Sequence, residues 1–485
     1  PDSVTFACIL TACGSIGNLG LGEEIHAEVS KNRFMAKDII LGTALVDMYA
    51  KCNVLTKAQE VFDELPIGDV ISWNALIAGY TEHGRADEAL ECYMQMRNVN
   101  ISPNITTFIS VLKSCGILGH LKLGEEIHAE IDQLGLLQKD VILATGLVDM
   151  YAKCGQLVKA QEVFDHILVR DVVCWNALMS GYAQYDFGDE VLNCFTQMRD
   201  KGISPNSITF SCVLKACGSN GYLEMGEEIH SEVSKLGLVG KDIMLSTSLL
   251  DMYAKCGMLE KAQEIFAKLP VQNRVAWCIL ITGYAQHGLG YAALTCFWQM
   301  RHVCIDYDSV AFICGLKACG SIEDHTKGIQ IHASMGKSTF LETDLILGSA
   351  LVSMYAKCGM LTTARQVLEE LPVRNVVSWN SLLTGYVQQG QGHKALDWFE
   401  RMRGEGFSPD GVTFICILKA CSCTYDISKG KEIHNWIIVS GWLEKDIMVG
   451  NCLVDMYVKC GVLPDAQQVL EELPRRNEVS WSTLI

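Results

Sequence analysis

The stretch VDMYAKCNVLTKAQEVF begins at Val46 and returns with few changes at Val148, Leu250, Val352 and Val454, each copy 102 residues after the last. A spacing that never slips means a repeating unit whose length is fixed by packing against its neighbours. Such a chain cannot be built around one globular core. It reads as an array of stacked units sharing one continuous core, with no linker or low-complexity stretch between them.

Composition adds limits. In 485 residues, 49% hydrophobic, there is no uninterrupted apolar run long enough to cross a bilayer, so no membrane partner is expected. The 22 Cys keep the phase of the repeat, as in Cys52, Cys154, Cys256, Cys358 and Cys460, each on an apolar helical face. They read as buried, reduced thiols in a reducing compartment rather than as disulfides or zinc ligands. Pro1 falls inside a repeat and Ile485 part-way through another, so the chain reads as a fragment, with any targeting peptide upstream.

Within the first copy, Leu45, Met48, Tyr49 and Cys52 lie at i, i+3, i+4 and i+7, one side of a helix. Gly155, Gly257, Gly359 or Gly461 follows that helix, with Asn53 in the first copy; both residue types tolerate the left-handed conformation that ends a helix. A second apolar stripe comes next: Leu55, Ala58, Val61, Phe62 and Leu65. Pro464 falls near the start of this helix, and Pro66, Pro270, Pro372 and Pro474 close it.

The 102-residue period divides into three helical hairpins of 36, 31 and 35 residues. The long hairpins span 3–38, 105–140, 207–242, 309–344 and 411–446; the short ones span 39–69, 141–171, 243–273, 345–375 and 447–477. The intermediate ones span 70–104, 172–206, 274–308 and 376–410, with a partial copy at 478–485. A hairpin of this size cannot bury its apolar stripe alone, so each leans on the next. The expected fold is all-α: a right-handed α-solenoid superhelix of helix-turn-helix repeats, with function along its concave face.

The phrases SWNALIAGY, YAKCG and GEEIHAEV, with the 35/36/31 alternation, resemble the plant-type pentatricopeptide repeat proteins of the mixed-length class, in which standard (P), long (L) and short (S) repeats alternate. The likeness runs over the whole chain. A tetratricopeptide array, with uniform 34-residue units and a W-x2-L-G-x2-Y signature, fits neither the lengths nor the words. The resemblance implies binding of single-stranded RNA in a chloroplast or mitochondrion, commonly to select cytidines for C-to-U editing.

The resemblance also implies a code, in which the fifth and last residues of a repeat together address one base. The chemistry is independently sensible. G and U present a ring N–H, whereas A and C present a bare ring nitrogen; an Asp carboxylate only accepts, and an Asn amide also donates. The resemblance further implies that Ser or Thr at the fifth position goes with a purine and Asn with a pyrimidine, consistent with a short side chain leaving room for the larger base. Carried over to this sequence, the short repeats offer Thr43 with Asp69 (G), Thr145 with Asp171 (G), Thr247 with Asn273 (A), Ser349 with Asn375 (A) and Asn451 with Asn477 (C or U). The standard repeats offer Asn74 with Asn104 and Asn176 with Asn206 (each C or U) and Asn380 with Asp410 (U). Cys278 with Asp308 departs from the pattern and stays unassigned. The long repeats carry Ala7, Ile109, Ser211, Ile313 and Ile415 at the fifth position and should read little.

With protein and RNA running in parallel, the expected site is 5′-GYNGYNANNAUNY-3′, Y being a pyrimidine. The second residue of each reading repeat is expected to wedge between bases: Ile40, Ile71, Ile142, Val173, Met244, Val275, Ile346, Val377 and Met448, all apolar. By comparison with base-stacking side chains, each wedge contributes on the order of 1 kcal/mol.

A net charge of −17 is awkward for a nucleic-acid binder, since general affinity comes from Lys and Arg neutralising phosphates. Lys51, Lys153, Lys255, Lys357 and Lys459 share one repeat position and are the candidate phosphate contacts. The resemblance places them in the inner groove.

His26, His128 and His230 each begin H-x-E, half of a zinc deaminase signature, but no P-C-x-x-C completes it, and His332 and His434 lack the Glu. They read as repeat-packing residues. Gly20 opens no phosphate loop. No active site, metal or cofactor is expected. The leading reading is a sequence-specific RNA-binding module, with deaminase chemistry supplied by a C-terminal extension or in trans and editing cofactor proteins meeting the long repeats. A protein-binding helical scaffold is the second reading, and a self-sufficient enzyme the third.

Overall fold

The computed structural model describes residues 2–31, 39–65, 68–137, 140–303, 305–335, 344–474 and 476–484, in helices and the turns joining them, with no strand among the described residues. The chain forms two compact units, Pro1–Leu236 and Gly237–Ile485. In the first, the leading helices of successive hairpins run Ser3–Ile16, Ile39–Lys51, Val70–Glu82, Ile105–Leu118, Val141–Lys153, Val172–Gln184 and Ser207–Asn220. In the second they run Ile243–Lys255, Arg274–Gln286, Ser309–Ile322, Leu345–Lys357, Val376–Gln388, Gly411–Thr424 and Ile447–Lys459, with Glu478–Leu484 last.

Within each unit, every leading helix packs on the leading helix of the next hairpin, and each second helix packs on the leading helix before it and, where the unit continues, on the one after it. Each unit is thus an all-α helical-repeat solenoid. The turn inside each short hairpin uses a left-handed residue: Asn53 at φ 59°, Gly155 at 75°, Gly257 at 76°, Gly359 at 73° and Gly461 at 76°. Another glycine sets how closely leading helices approach. A Cβ built on Gly79 or Gly181 would fall 2.5 Å from the Cβ of Ala50 or Ala152, so the GY of SWNALIAGY marks a helix crossing that only glycine permits.

Aromatic pairs fasten short hairpins to the intermediate hairpins that follow. Trp73, Trp175 and Trp277 meet Phe62, Phe164 and Phe266 edge-on, with ring centroids 4.5, 4.7 and 4.6 Å apart. Such pairs add about 0.5–1.5 kcal/mol beyond the area they bury. Leu368 replaces the Phe in the fourth copy, and Trp379 packs with Trp398 and Phe407 instead.

Three features differ from expectation or escape it. Cys52, Cys154, Cys256, Cys358 and Cys460 are free thiols but half-buried rather than buried, because the position lies at the end of its helix; Cys154, for one, is the C-cap. A four-residue helix, Trp442–Lys445, extends one long hairpin. The helix-closing role assigned to Pro66 lies outside the described residues.

The repeat-phased histidines are packing residues. Nδ1 of His26, His128, His332 and His434 lies 2.8–2.9 Å from the hydroxyl of Tyr49, Tyr151, Tyr355 and Tyr457, tying a long hairpin to the next short one. Burial pushes all four imidazoles below their ordinary value, against nearby carboxylates that work the other way. The folded chain holds these groups neutral, whereas the unfolded chain protonates them near pH 6.5. Protons therefore favour unfolding, and stability present above about pH 6.5 is lost as pH falls below it. Thermal melts should show Tm dropping between pH 7.5 and 5.5, above the carboxylate range; a flat Tm across that window would show that the histidines are not held neutral.

Candidate nucleic-acid interface

The last residue of each reading hairpin is the N-cap of the leading helix that follows. Oδ1 of Asp69 accepts from the Ser72 amide at 2.9 Å, and Oδ1 of Asn104 from Thr107 at 3.1 Å. The same bond runs to Asp171 from Cys174, to Asn206 from Thr209 and to Asn273 from Ala276. It recurs at Asp308 from Ala311, Asn375 from Ser378, Asp410 from Thr413 and Asn477 from Ser480. Asn and Asp cap helices about equally well, so folding restricts the position to these types without choosing between them. The amide N–H also fixes orientation, because only an oxygen accepts it. Oδ1 is committed to the helix, and the other side-chain atom is Oδ2 in Asp and Nδ2 in Asn: an acceptor or a donor on the same scaffold.

The fifth residues support these caps. Nδ2 of Asn74 and Asn176 donates to Oδ1 of Asn104 and Asn206, both at 3.0 Å, and Nδ2 of Asn380 to Oδ1 of Asp410 at 2.9 Å. Asn451 approaches Asn477 more loosely, at 3.4 Å. A hydroxyl from the next hairpin completes each set: Thr107, Thr209, Thr413 and Ser480 donate to Oδ1 of Asn74, Asn176, Asn380 and Asn451 at 2.6–2.7 Å. These four hydroxyls were not singled out in the sequence, although N-x-x-T at 104–107 and 206–209 is a capping signature. The four Asn side chains are only 4–8% exposed, so they are no solvated helix positions.

In the short hairpins whose fifth residue is Ser or Thr the link is weaker. Ser349 Oγ lies 3.1 Å from Asn375 Oδ1 and 2.8 Å from the Leu345 carbonyl. Thr145 donates to the Val141 carbonyl and reaches Asp171 through Cys174, whose Sγ lies 2.8 Å from Thr145 Oγ1. Thr247 bonds to the Ile243 carbonyl, and Thr43 Oγ1 is buried without a partner. Partial burial works to raise the Asp171 carboxyl, but the Cys174 and Val173 amides and the Cys174 thiol outweigh it and hold the group below its ordinary value. It is an ionised, acceptor-only group at neutral pH. At the unassigned hairpin, Asp308 Oδ2 accepts from Arg274 at 3.1 Å, so that carboxylate is already engaged, and Cys278 is a buried thiol that shares a concavity with Cys314.

All nine wedge residues are exposed. Ile40, Ile71, Ile142, Val173, Met244, Val275, Ile346, Val377 and Met448 leave 50–69% of their surface open, although each sits in the first turn of a leading helix. Leaving nine large apolar groups in water at one repeat position is unfavourable for the free chain, and it marks a contact surface. In the second unit, one surface concavity brings Ile346, Ser349 and Val377 together with Lys317 and Lys357.

Comparison with known proteins identifies the family. A profile described as "PPR repeat family" matches residues 68–116, 170–219 and 374–423. A second, "PPR repeat", matches 143–172, 208–238, 246–272, 275–304, 349–376 and 451–478. The chain belongs to the pentatricopeptide repeat family. Among Arabidopsis thaliana relatives, a chloroplastic pentatricopeptide repeat-containing protein is 34% identical over 99% of this chain and 59% of its own length. A second chloroplastic member is 32% identical over 100% of this chain and 55% of its own, and a mitochondrial one 32% identical over 98% and 68%. The chain thus spans little more than half the length of the first two. Of solved structures, the pentatricopeptide repeat protein PPR10 in complex with an 18-nt psaJ RNA element aligns over 100% of this chain and 76% of its own, at TM-score 0.55 and 18% identity. PPR10 from maize aligns over 100% and 81%, at 0.52 and 20%. These likenesses establish the fold.

The candidate phosphate lysines of this pentatricopeptide repeat chain are mostly paired. Lys51, Lys153, Lys255 and Lys459 reach Asp47, Asp149, Asp251 and Asp455, one turn earlier, at 2.6–2.8 Å. Lys357 has Ser353 at that place and no such carboxylate. Exposed i,i+4 pairs are worth only about 0.3–0.5 kcal/mol, yet they cancel the charge that was to meet RNA. The H-x-E histidines lie in the packing described above, and among the described residues no group of three or more His, Cys, Asp or Glu is placed to hold a metal.

The cap network is open to a direct test. Thr209→Val keeps the shape but leaves Asn176 Oδ1 without its donor, a loss of about 1–3 kcal/mol for a buried group. Tm should fall by several degrees, while Ser207→Ala, which makes no such bond, should not move it. Equal melts for the two variants would remove the network from any structural role.

Proposed function

We propose that this chain binds single-stranded RNA sequence-specifically, one nucleotide to each hairpin, at 5′-GYNGYNANNAUNY-3′ or a close variant. The observation that carries the reading is the shared cap. Nine Asn or Asp side chains commit Oδ1 to a helix N-terminus, and the atom left over is the one whose donor or acceptor character sorts G and U from A and C. The exposed apolar residue one helical turn before the fifth residue of each reading hairpin suits the face of an unstacked base. That the PPR10 structure holds an RNA element supports the same reading. The names of the Arabidopsis relatives support a chloroplast or a mitochondrion as the place of action.

The downstream event we favour is selection of a cytidine for C-to-U editing, with a deaminase provided by another protein segment or in trans. In this scheme the repeat tract supplies address and not chemistry. At the eighth nucleotide, where Arg274 already occupies Asp308, base preference should be weakest.

Asp171→Asn separates recognition from folding, because Asn is an equally good cap. The variant should melt within about 1 °C of the parent, while its preference at the fourth nucleotide moves from G to A, the matched RNA winning by ~10-fold for ~1.4 kcal/mol. Binding is measured against RNAs differing only at that nucleotide and against a scrambled copy. A variant that still prefers G, or a parent that treats matched and scrambled RNA alike, would sink the one-base-per-hairpin reading.

A further inference from the structure

The long hairpins carry no polar reader, yet their leading helices repeat the exposed apolar step. Val4, Ile208, Val310 and Val412, second in their hairpins, are 46–62% exposed, with Thr106 interrupting the series. Seven residues further on stand Lys113, Lys215, Lys317 and Lys419, with Thr11 in the first copy. A step of seven is almost two full helical turns, so the second, fifth and ninth residues form one stripe. Each long hairpin after the first therefore presents a small or apolar step, a mostly apolar middle and an ammonium group on the side where the other hairpins present wedge and reader.

These four lysines differ from the ones the repeat first suggested. All four are exposed, and among the described residues no carboxylate pairs with them. Four of the five short-hairpin lysines are held by a carboxylate, and Lys51 and Lys153 by their stems as well. The four ammonium groups rest on Asp47, Asp149, Asp251 and Asp455, and the stems of Lys51 and Lys153 lie against Gly14 and Gly116 of the preceding long hairpin. In a chain of net charge −17, periodic unpaired cations on the stripe that bears the wedges are a specific arrangement. Lys317 shows where the stripe leads: it lines one concavity with the reader Ser349, the wedges Ile346 and Val377, and Lys357, itself without an aspartate. Val310 likewise shares a concavity with Val275, Cys278 and Asp308.

We infer that the long hairpins hold RNA without reading it, with Lys113, Lys215, Lys317 and Lys419 each neutralising a backbone phosphate about every third nucleotide while the apolar step beside them accepts a base of any identity. This rests on the RNA-binding reading above. Charge favours RNA over a protein partner here, because the repeat period brings one cation per three hairpins to the surface already marked by base-sized apolar steps, a spacing that a phosphodiester chain matches.

Two charge-matched quadruple variants test it: Lys113→Gln, Lys215→Gln, Lys317→Gln, Lys419→Gln, and Lys51→Gln, Lys153→Gln, Lys255→Gln, Lys459→Gln. Affinity for the predicted RNA is measured from 50 to 200 mM salt. Each single-strand phosphate contact adds about 0.7 to the salt slope, so the first set should flatten it by roughly 2–3, and the second by less than about 1. Lys→Arg at the four long-hairpin positions should keep the parental slope. Equal flattening by both sets would reduce the effect to overall charge, and an unchanged slope in the first set would release these lysines for another partner, a protein included; either overturns the inference. A parent that binds matched and scrambled RNA equally, but whose slope still collapses in the first set, would fail the base code and leave the phosphate contacts standing.

Discussion

The hydrogen bond that a side-chain Oδ1 accepts from the N-terminus of the next helix is the constraint on which the rest depends. It recurs at hairpin junctions and closes orphan amides that would otherwise be left at each helix start. It also fixes which side-chain atom faces the helix and leaves the second polar atom outside that bond. On the reading proposed above, folding and recognition share a residue without competing for the same atom. Because Asn and Asp serve the helix alike, the choice between them is left to the ligand. A position where only one of the two could cap would have had no freedom to encode anything.

Around that bond the two kinds of reading hairpin differ in stiffness. The intermediate hairpins lock Asn, cap and a Thr hydroxyl into a triangle of bonds with the fifth residue nearly buried. Among the short hairpins only Asn451 repeats that arrangement; the hydroxyls of Thr145, Thr247 and Ser349 turn back to their own helices, and of these Ser349 alone also approaches its cap directly. A locked triangle gives a defined donor and acceptor pair at low entropic loss, whereas the looser arrangement leaves the cap residue to do most of the sorting. The Asn at the fifth position is accordingly more a support for the cap than a long arm toward the base.

Much of this was legible in the sequence, for a physical reason. A strict period forces equivalent environments, so one amphipathic stripe and one Gly or Asn at a turn describe every copy at once. The helices starting at Ile39, Val141, Ile243, Leu345 and Ile447 follow from that stripe, and the exposed wedges follow from apolar residues outside it. What escaped depends on contacts between copies. That Thr107 reaches across to Asn74, that Cys52 is half-buried at a helix end, and that Lys51 leans on Asp47 all depend on where a neighbouring turn or hairpin lies. Helical spacing does put Asp47 four residues before Lys51, and reading it as an ion pair would have pointed past these lysines to others. The short helix Trp442–Lys445 belongs to a single copy, so no period announces it.

The acidity of the chain becomes consistent once charges are taken by position and not by sum. Paired lysines on the short hairpins add almost nothing to the field that an approaching polyanion meets, and the acidic excess repels nucleic acid wherever no local cation answers it. A chain of this kind has little general affinity, so whatever affinity it has must arise where apolar steps, cap atoms and unpaired ammonium groups coincide. On the RNA-binding reading proposed above, that coincidence requires the correct register: shifting a strand by one hairpin would set the ammonium groups of the long hairpins against different nucleotides and move every donor and acceptor to a wrong base. Net repulsion therefore sharpens discrimination, because a mismatched RNA loses base contacts and has no unspecific attraction to replace them.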